Sequence, residues 1–287
     1  MRTLNCIVVM LIAFVTGDKA LAQVTANSTV LKPQQTVYSK KHIGEKNPIP
    51  YANVREADVM WSKRVWRVIN LKEKFNLPLY YPTAPIKDRK SLFDVLKDGA
   101  LKDSTVTCFS PADDEFQIPL SKSEVEALLL QWDSAMIDNP ENPGEQINVK
   151  VKNEITSEDI TKYWIKEDWF FDKQRSVMDV RILGILVVTA KKTESGEIVG
   201  DKPLFWVYFP EIRPVLANNE VYMRHNDAER RSFDDIFWKR MFSSYIIKES
   251  NVYDRYIMDY AMGLDGLLEA EKIKEELFEF EHDFWHY

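Results

Sequence analysis

Cysteine is almost missing from this 287-residue chain, which has two, Cys6 and Cys108. No C-x-x-C pair exists, so thiol redox pairs and paired-cysteine metal sites are excluded. The chain also lacks a G-x-S-x-G elbow, a G-x-G-x-x-G loop and a phosphate-binding loop. Histidine occurs four times, never within twenty residues of Cys108, so that thiol reads as a small buried apolar group and not as a nucleophile. Positive charge is in deficit: the formal net charge is −7, which disfavours nucleic acid as a partner. Long apolar runs are scarce as well. The run from Cys6 to Val15 is ten residues, about half of what a helix needs to cross a bilayer of roughly 30 Å, and no membrane span is expected.

What that run does fit is an export signal. Arg2 precedes it and the small residues Ala20 and Ala22 follow, so residues 1–22 are expected to be cleaved, leaving Gln23 first. The mature chain then holds Cys108 alone, and an intrachain disulfide is impossible. No cysteine stands at the cleavage point, which argues against direct lipidation. At 45% apolar residues the remainder is large enough to bury a core without covalent staples.

Charge is unevenly spread. Residues 23–74 carry ten Lys/Arg against four Asp/Glu, and residues 265–287 carry two Lys against eight Asp/Glu. Two solvated surfaces explain this simply; head-to-tail attraction between copies is the sharper alternative.

The spacing predicts four parts: the signal, an extended arm over 23–53, a core domain over 54–262, and an acidic helix over 263–287. Trp61, Val65, Val68 and Ile69 recur at helical spacing and predict a helix over about 55–75, stopped by the prolines of 76-NLPLYYPTAP-85. A helix is expected at Leu92–Lys97, closed by Gly99 as a left-handed cap, and a strand at 104–109. Ser121 with Glu124 forms a capping box before Val125, Leu128, Leu129 and Trp132, one face of a helix. A strand follows at 147–151, and a short helix from Ser157 through Ile160, Tyr163 and Trp164. Residues 177–192 and 203–209 predict an antiparallel pair around a turn at 193–201. Helices are expected at 233–247, about 251–262 and from 265, the last with a seam of Ala270, Ile273, Leu277, Phe280 and Phe284. The sum is an α+β fold: a mostly antiparallel central sheet flanked by helices, with an extended N-terminal arm and an acidic C-terminal helix.

The blocks 58-DVMWSKRVW-66 and 235-DIFWKRMF-242 place large rings beside fixed cations, which suits docking surfaces. Their likeness is compatible with an internal duplication or with shared periodicity alone. Trp61, Trp132, Trp164 and Trp206 read as core. Trp66, Arg67, Trp238, Lys239, Arg240, Phe284 and Trp285 are the candidate partner-binding residues.

Other chemistry is thinner. His282 and His286 stand four apart on a helix with Asp283 between, a possible zinc pair lacking a third ligand downstream, or else a surface pair. The run Asp113-Asp114-Glu115 lacks calcium-loop spacing. Arg224, Arg230 and Arg231 beside His225 suit either an anion or local ion pairs. No catalytic residue, metal or cofactor is assigned. A periplasmic peptidoglycan-binding or glycan-hydrolysing protein stays open as the alternative, with Asp113, Asp114, Glu167 and Asp168 as carboxylates.

The blocks 58-DVMWSKRVWRVINLKEKFNLPLYYP-82, 168-DWFFDKQRSVMDVRILGI-185, 205-FWVYFPEIRP-214 and 226-NDAERRSFDDIFWKRMFSSYIIKESNVYDRY-256 resemble the gliding-motility family GldN, also called PorN. The likeness runs from about Val54 to Tyr260. It implies a periplasmic, non-enzymatic part of the type IX secretion machinery of Bacteroidetes. The implied partners are an outer-membrane lipoprotein of the GldK or PorK type, neighbouring copies in a ring, and the periplasmic protein GldM or PorM. It carries no catalytic residues and no binding motif to transfer position by position.

Overall fold

The computed structural model describes residues 46–86, 89–138, 146–192, 198–223, 226 and 228–283. The expected signal, most of the expected arm, the turn at 193–197, Arg224, His225 and the last four residues, with Phe284, Trp285 and His286, lie outside the described residues.

Six strands form one antiparallel sheet: β1 (Val59–Asn70), β2 (Cys108–Phe109), β5 (Ile160–Asp172), β6 (Val177–Lys192), β7 (Ile198–Tyr208) and β8 (Tyr245–Glu249), in the order β2-β7-β6-β5-β1-β8. Two more, β3 (Leu130–Asp138) and β4 (Gln146–Glu154), pair only with each other. The helices are α1 (Leu77–Tyr80), α2 (Leu92–Leu101), α3 (Lys122–Leu129), α4 (Phe209–Ala217), α5 (Phe233–Trp238) and α6 (Leu264–Asp283). This is the expected α+β class, with an antiparallel sheet at its centre.

Several elements differ from expectation. Residues 59–70 are a strand, because Val65 to Ile69 are all buried and a strand covered on both faces loses its alternation. The segment from Ile160 through Trp164 is likewise the start of β5, paired to β1 over Asn70↔Lys162 through Val59↔Asp172. Gly99 lies inside α2, where a Cβ would stand 2.6 Å from Val106 Cγ2, so it is a packing glycine and not a cap. The expected strand at 104–109 shrinks to Cys108–Phe109, and Trp132 falls in β3, beyond the end of α3. The helix expected at 233–247 stops at Trp238; Arg240 takes a left-handed φ of 52°, and β8 follows. Within 251–262 there is one 3₁₀ turn, Ile257–Asp259. The two aromatic and basic blocks are therefore a strand and a short helix, and share no structural unit.

The capping box at Ser121 is present, as are the 177–192 strand and the α6 seam: Ala270, Ile273 and Leu277 are buried and Phe280 packs on Trp61 at 4.5 Å between ring centroids. One sheet face holds the main core, where Tyr163, Ile165, Ile185, Val187 and Phe205 meet Phe93 and Leu96 of α2, Ile212 and Leu216 of α4, and Phe233 and Phe237 of α5. Each such side chain contributes about 1.5–3 kcal/mol by leaving water. Towards the β1–β8 end, Val65, Ile246 and Ile257 take the seam of α6. The opposite face is smaller: Trp66, Leu186, Val188 and Trp206, under Phe109 and Phe116.

Phe116 reaches the sheet because residue 184 has no side chain. A Cβ on Gly184 would lie 2.4 Å from Phe116 Cζ, so the glycine lets the ring approach β6 closely.

Candidate functional site

Consecutive residues of a strand point to opposite faces, and β5 uses this to bury two opposite charges side by side in sequence. Lys166 is 2% and Glu167 0% exposed. A buried charge is tolerated only with partners, and each has gathered its own from distant segments.

On the face toward α6, Arg240 donates to both oxygens of Glu167, at 3.0 and 3.1 Å. The reversed backbone at Arg240, just past α5, opens this route back to β5. Trp169 donates its indole N–H to Glu167 at 3.3 Å, and Arg67 Nε lies 3.3 Å from Glu167 Oε2. Arg67 also donates to Ser244 Oγ at 3.4 Å. Both guanidinium groups stand over the Trp169 ring, Arg67 at 5.8 Å and Arg240 at 5.4 Å. Burial pulls the Arg67 guanidinium below its ordinary pKa; Glu167 opposes that pull and Arg240 adds to it. This cluster floors a cavity of about 660 Å³ whose other wall is α6, through Glu271, Lys274, Glu275, Leu277, Phe278 and Glu281.

On the other face, Trp66 donates to Asp114 Oδ2 at 2.9 Å. Its ring takes Lys248 at 4.5 Å and Lys166 at 5.6 Å. Lys166 donates to the Asp114 carbonyl at 2.5 Å, and Lys248 pairs with Asp254 at 2.7 Å. Burial lowers the Lys166 ammonium below its ordinary pKa, with Asp114 opposing. Asp113 shapes this loop by accepting the backbone N–H groups of Glu115 and Gln117, at 2.9 and 3.1 Å.

A third group forms where the segment before β1 lies against α5. Arg213 donates to Asp234 at 2.9 and 3.3 Å and stands over Tyr51 at 4.4 Å and Trp238 at 4.9 Å. Lys46 pairs with Asp235 at 2.5 Å, and Arg181 donates to the Ala52 carbonyl. The part of the expected arm that is described, residues 46–53, is thus non-helical and packed on the core.

The structure brings together two of the sequence-derived candidates, Arg67 and Arg240. Trp66 sits back to back with Arg67 on the opposite face and is 6% exposed, so its ring is spent inside the chain. Trp238 is 42% exposed and available at the surface. Lys239 is exposed. Phe284 and Trp285 lie outside the described residues, as does His286, so the His282–His286 pair has no described geometry.

The four carboxylates considered for glycan chemistry do not converge. Glu167 and Asp168 face opposite sides of β5, and Asp168 is held by Arg64 at 2.6 and 2.9 Å. Asp114 and Asp168 do line one cleft of about 400 Å³, each engaged by a cation. Among the described residues no group of three or more His, Cys, Asp or Glu is placed to hold a metal ion, and no helix is long and apolar enough to cross a membrane.

Sequence reading missed a run of exposed apolar side chains before and at the start of α6: Val252, Tyr253, Met258, Met262, Leu264, Leu267 and Leu268, of which Met258 and Leu267 border one groove. Met262 is 80% exposed. Leu264, Leu267 and Leu268 stand off the buried seam of α6, which is the one signal that would have revealed them.

A family model described as gliding motility associated protein GldN matches residues 54–286. No curated protein matches the chain.

Proposed function

Because the chain belongs to the GldN family and so is a component of the gliding motility machinery and its associated secretion system, we propose that it acts as a non-enzymatic assembly subunit in the periplasm. In this reading it is exported by its first 22 residues, held at the outer membrane by a lipoprotein of the GldK or PorK type, set beside further copies in a ring, and met by GldM or PorM. The observation that carries an assembly role is the exposed apolar run from Val252 to Leu268: isolated soluble subunits seldom leave so many large apolar side chains of one segment in water, and such patches mark partner surfaces. The carboxylates support it from the other side, since Glu167, Asp168 and Asp234 are each engaged by a guanidinium group.

The test is co-purification from envelopes of cells carrying Met262→Lys with Leu267→Glu. Retained far-UV circular dichroism with loss of the lipoprotein and of high-mass particles is the expected result. Undiminished recovery of both would remove the run as the docking surface; release of muropeptides from purified sacculi by the isolated protein would remove the non-enzymatic reading.

A further inference from the structure

The cavity beneath α6 has walls of opposite sign. Its floor holds two guanidinium groups, Arg67 and Arg240, against the single carboxylate of Glu167, an excess of positive charge. The Arg67 side chain is 8% exposed and its Nε is closed off from solvent, whereas the Arg240 side chain is 32% exposed. The roof is anionic. Glu271 pairs with Lys274 at 2.8 Å, but Glu275 and Glu281 have no ion-pair partner among the described residues. Trp169, Phe242, Leu277 and Phe278 supply apolar walls between floor and roof, and the volume of about 660 Å³ is in the range of small-molecule sites.

From this we infer that the cavity binds a short zwitterionic peptide, its carboxylate on the Arg67–Arg240 floor and its ammonium on Glu275 and Glu281. A plain anion would meet the roof carboxylates, and a plain cation the floor, so each alone is disfavoured by charge. A molecule carrying both groups meets the partly exposed Arg240 guanidinium and the two roof carboxylates together. Guanidinium forks favour planar carboxylates, and the aromatic walls hold the body of the ligand. Two sources offer this chemistry, stem peptides of the cell wall and linear peptides from protein turnover. The inference goes beyond the assembly role and does not depend on it.

Titration calorimetry on the signal-free full chain tests it with four probes: L-Ala-γ-D-Glu-meso-diaminopimelate, linear Ala-Glu-Lys, acetate, and 1,5-diaminopentane. Saturable heat is expected with at least one peptide. Binding of the first alone identifies the wall as source, of the second alone protein turnover, and of both the shared chemistry. Acetate and the diamine should bind at least tenfold more weakly. Arg240→Gln should weaken the peptide at least tenfold; since it also frees one side of Glu167, Glu275→Gln with Glu281→Gln on the outer helix provides a second test, with at least fivefold loss and an unchanged melting curve. No saturable binding of either peptide by folded protein, equal binding of acetate, or unaltered affinity in the α6 double variant would each overturn the inference. Particle assembly measured on that same double variant separates this outcome from any failure of the docking surface.

Discussion

Arg240 forks onto both oxygens of Glu167, 73 residues away, in a pair whose carboxylate is wholly buried. Glu167 also faces Arg67, so it is the shared anion of two cations and the centre of the contact between β5, β1 and the segment after α5.

Removing that shared charge should be costly. Glu167→Gln leaves two guanidinium groups facing a neutral amide, and breaking a buried pair in this way costs about 3 kcal/mol. Urea unfolding followed by circular dichroism should show the midpoint falling accordingly. A shift within about 0.5 kcal/mol would mean that water already screens the pair.

Gly184→Ala should expel the Phe116 ring from β6, with a loss of about 1–3 kcal/mol from overpacking. Phe116→Ala in the same chain removes the clash, so the double variant should lose less than the sum of the two single changes. Strict additivity in thermal melts would show that the ring does not lie on the glycine.

Burial, with a smaller push from the Glu211 carboxylate, raises the Cys108 thiol to about 12. The folded protein should therefore leave Cys108 unreactive toward a maleimide at pH 8, and labelling should appear only as denaturant unfolds the chain. Rapid labelling of native protein would place the thiol at the surface.

The α3 capping box gives a pH signature. Hydrogen bonds from the Ser121 hydroxyl and backbone N–H hold the Glu124 carboxylate below its usual 4.5. A depressed carboxylate contributes stability above its unfolded value and loses it as pH falls through the folded one. Hydrogen exchange should show the Ser121 amide protected at pH 6 and progressively less so below pH 4.5, relative to intrinsic rates. Glu124→Gln, which removes the titrating carboxylate that accepts this amide, should abolish the difference.

How far the sequence announced this molecule varies with the element. The Ser121–Glu124 box and the β6–β7 pair were legible because their signals are local: a cap three residues from its partner, and an apolar β-branched run around a turn. β1 was not. Its burial on both faces from Val65 to Ile69 erases the period of two, leaving the spacing of Trp61, Val65, Val68 and Ile69 to imitate a helix; the β-branched residues were the better guide. The site was half visible. Arg67 and Arg240 stood out as cations beside rings, but their meeting on Glu167 depends on a register and a reversed backbone that no local pattern encodes.

β1 is also the route by which the segment before it enters the sheet. It is hydrogen-bonded to β5 over its length and to β8 along its later half. Tension arriving along residues 46–58 would therefore be resisted by many backbone bonds loaded in parallel, sliding one strand past another, and not by bonds unzipped singly.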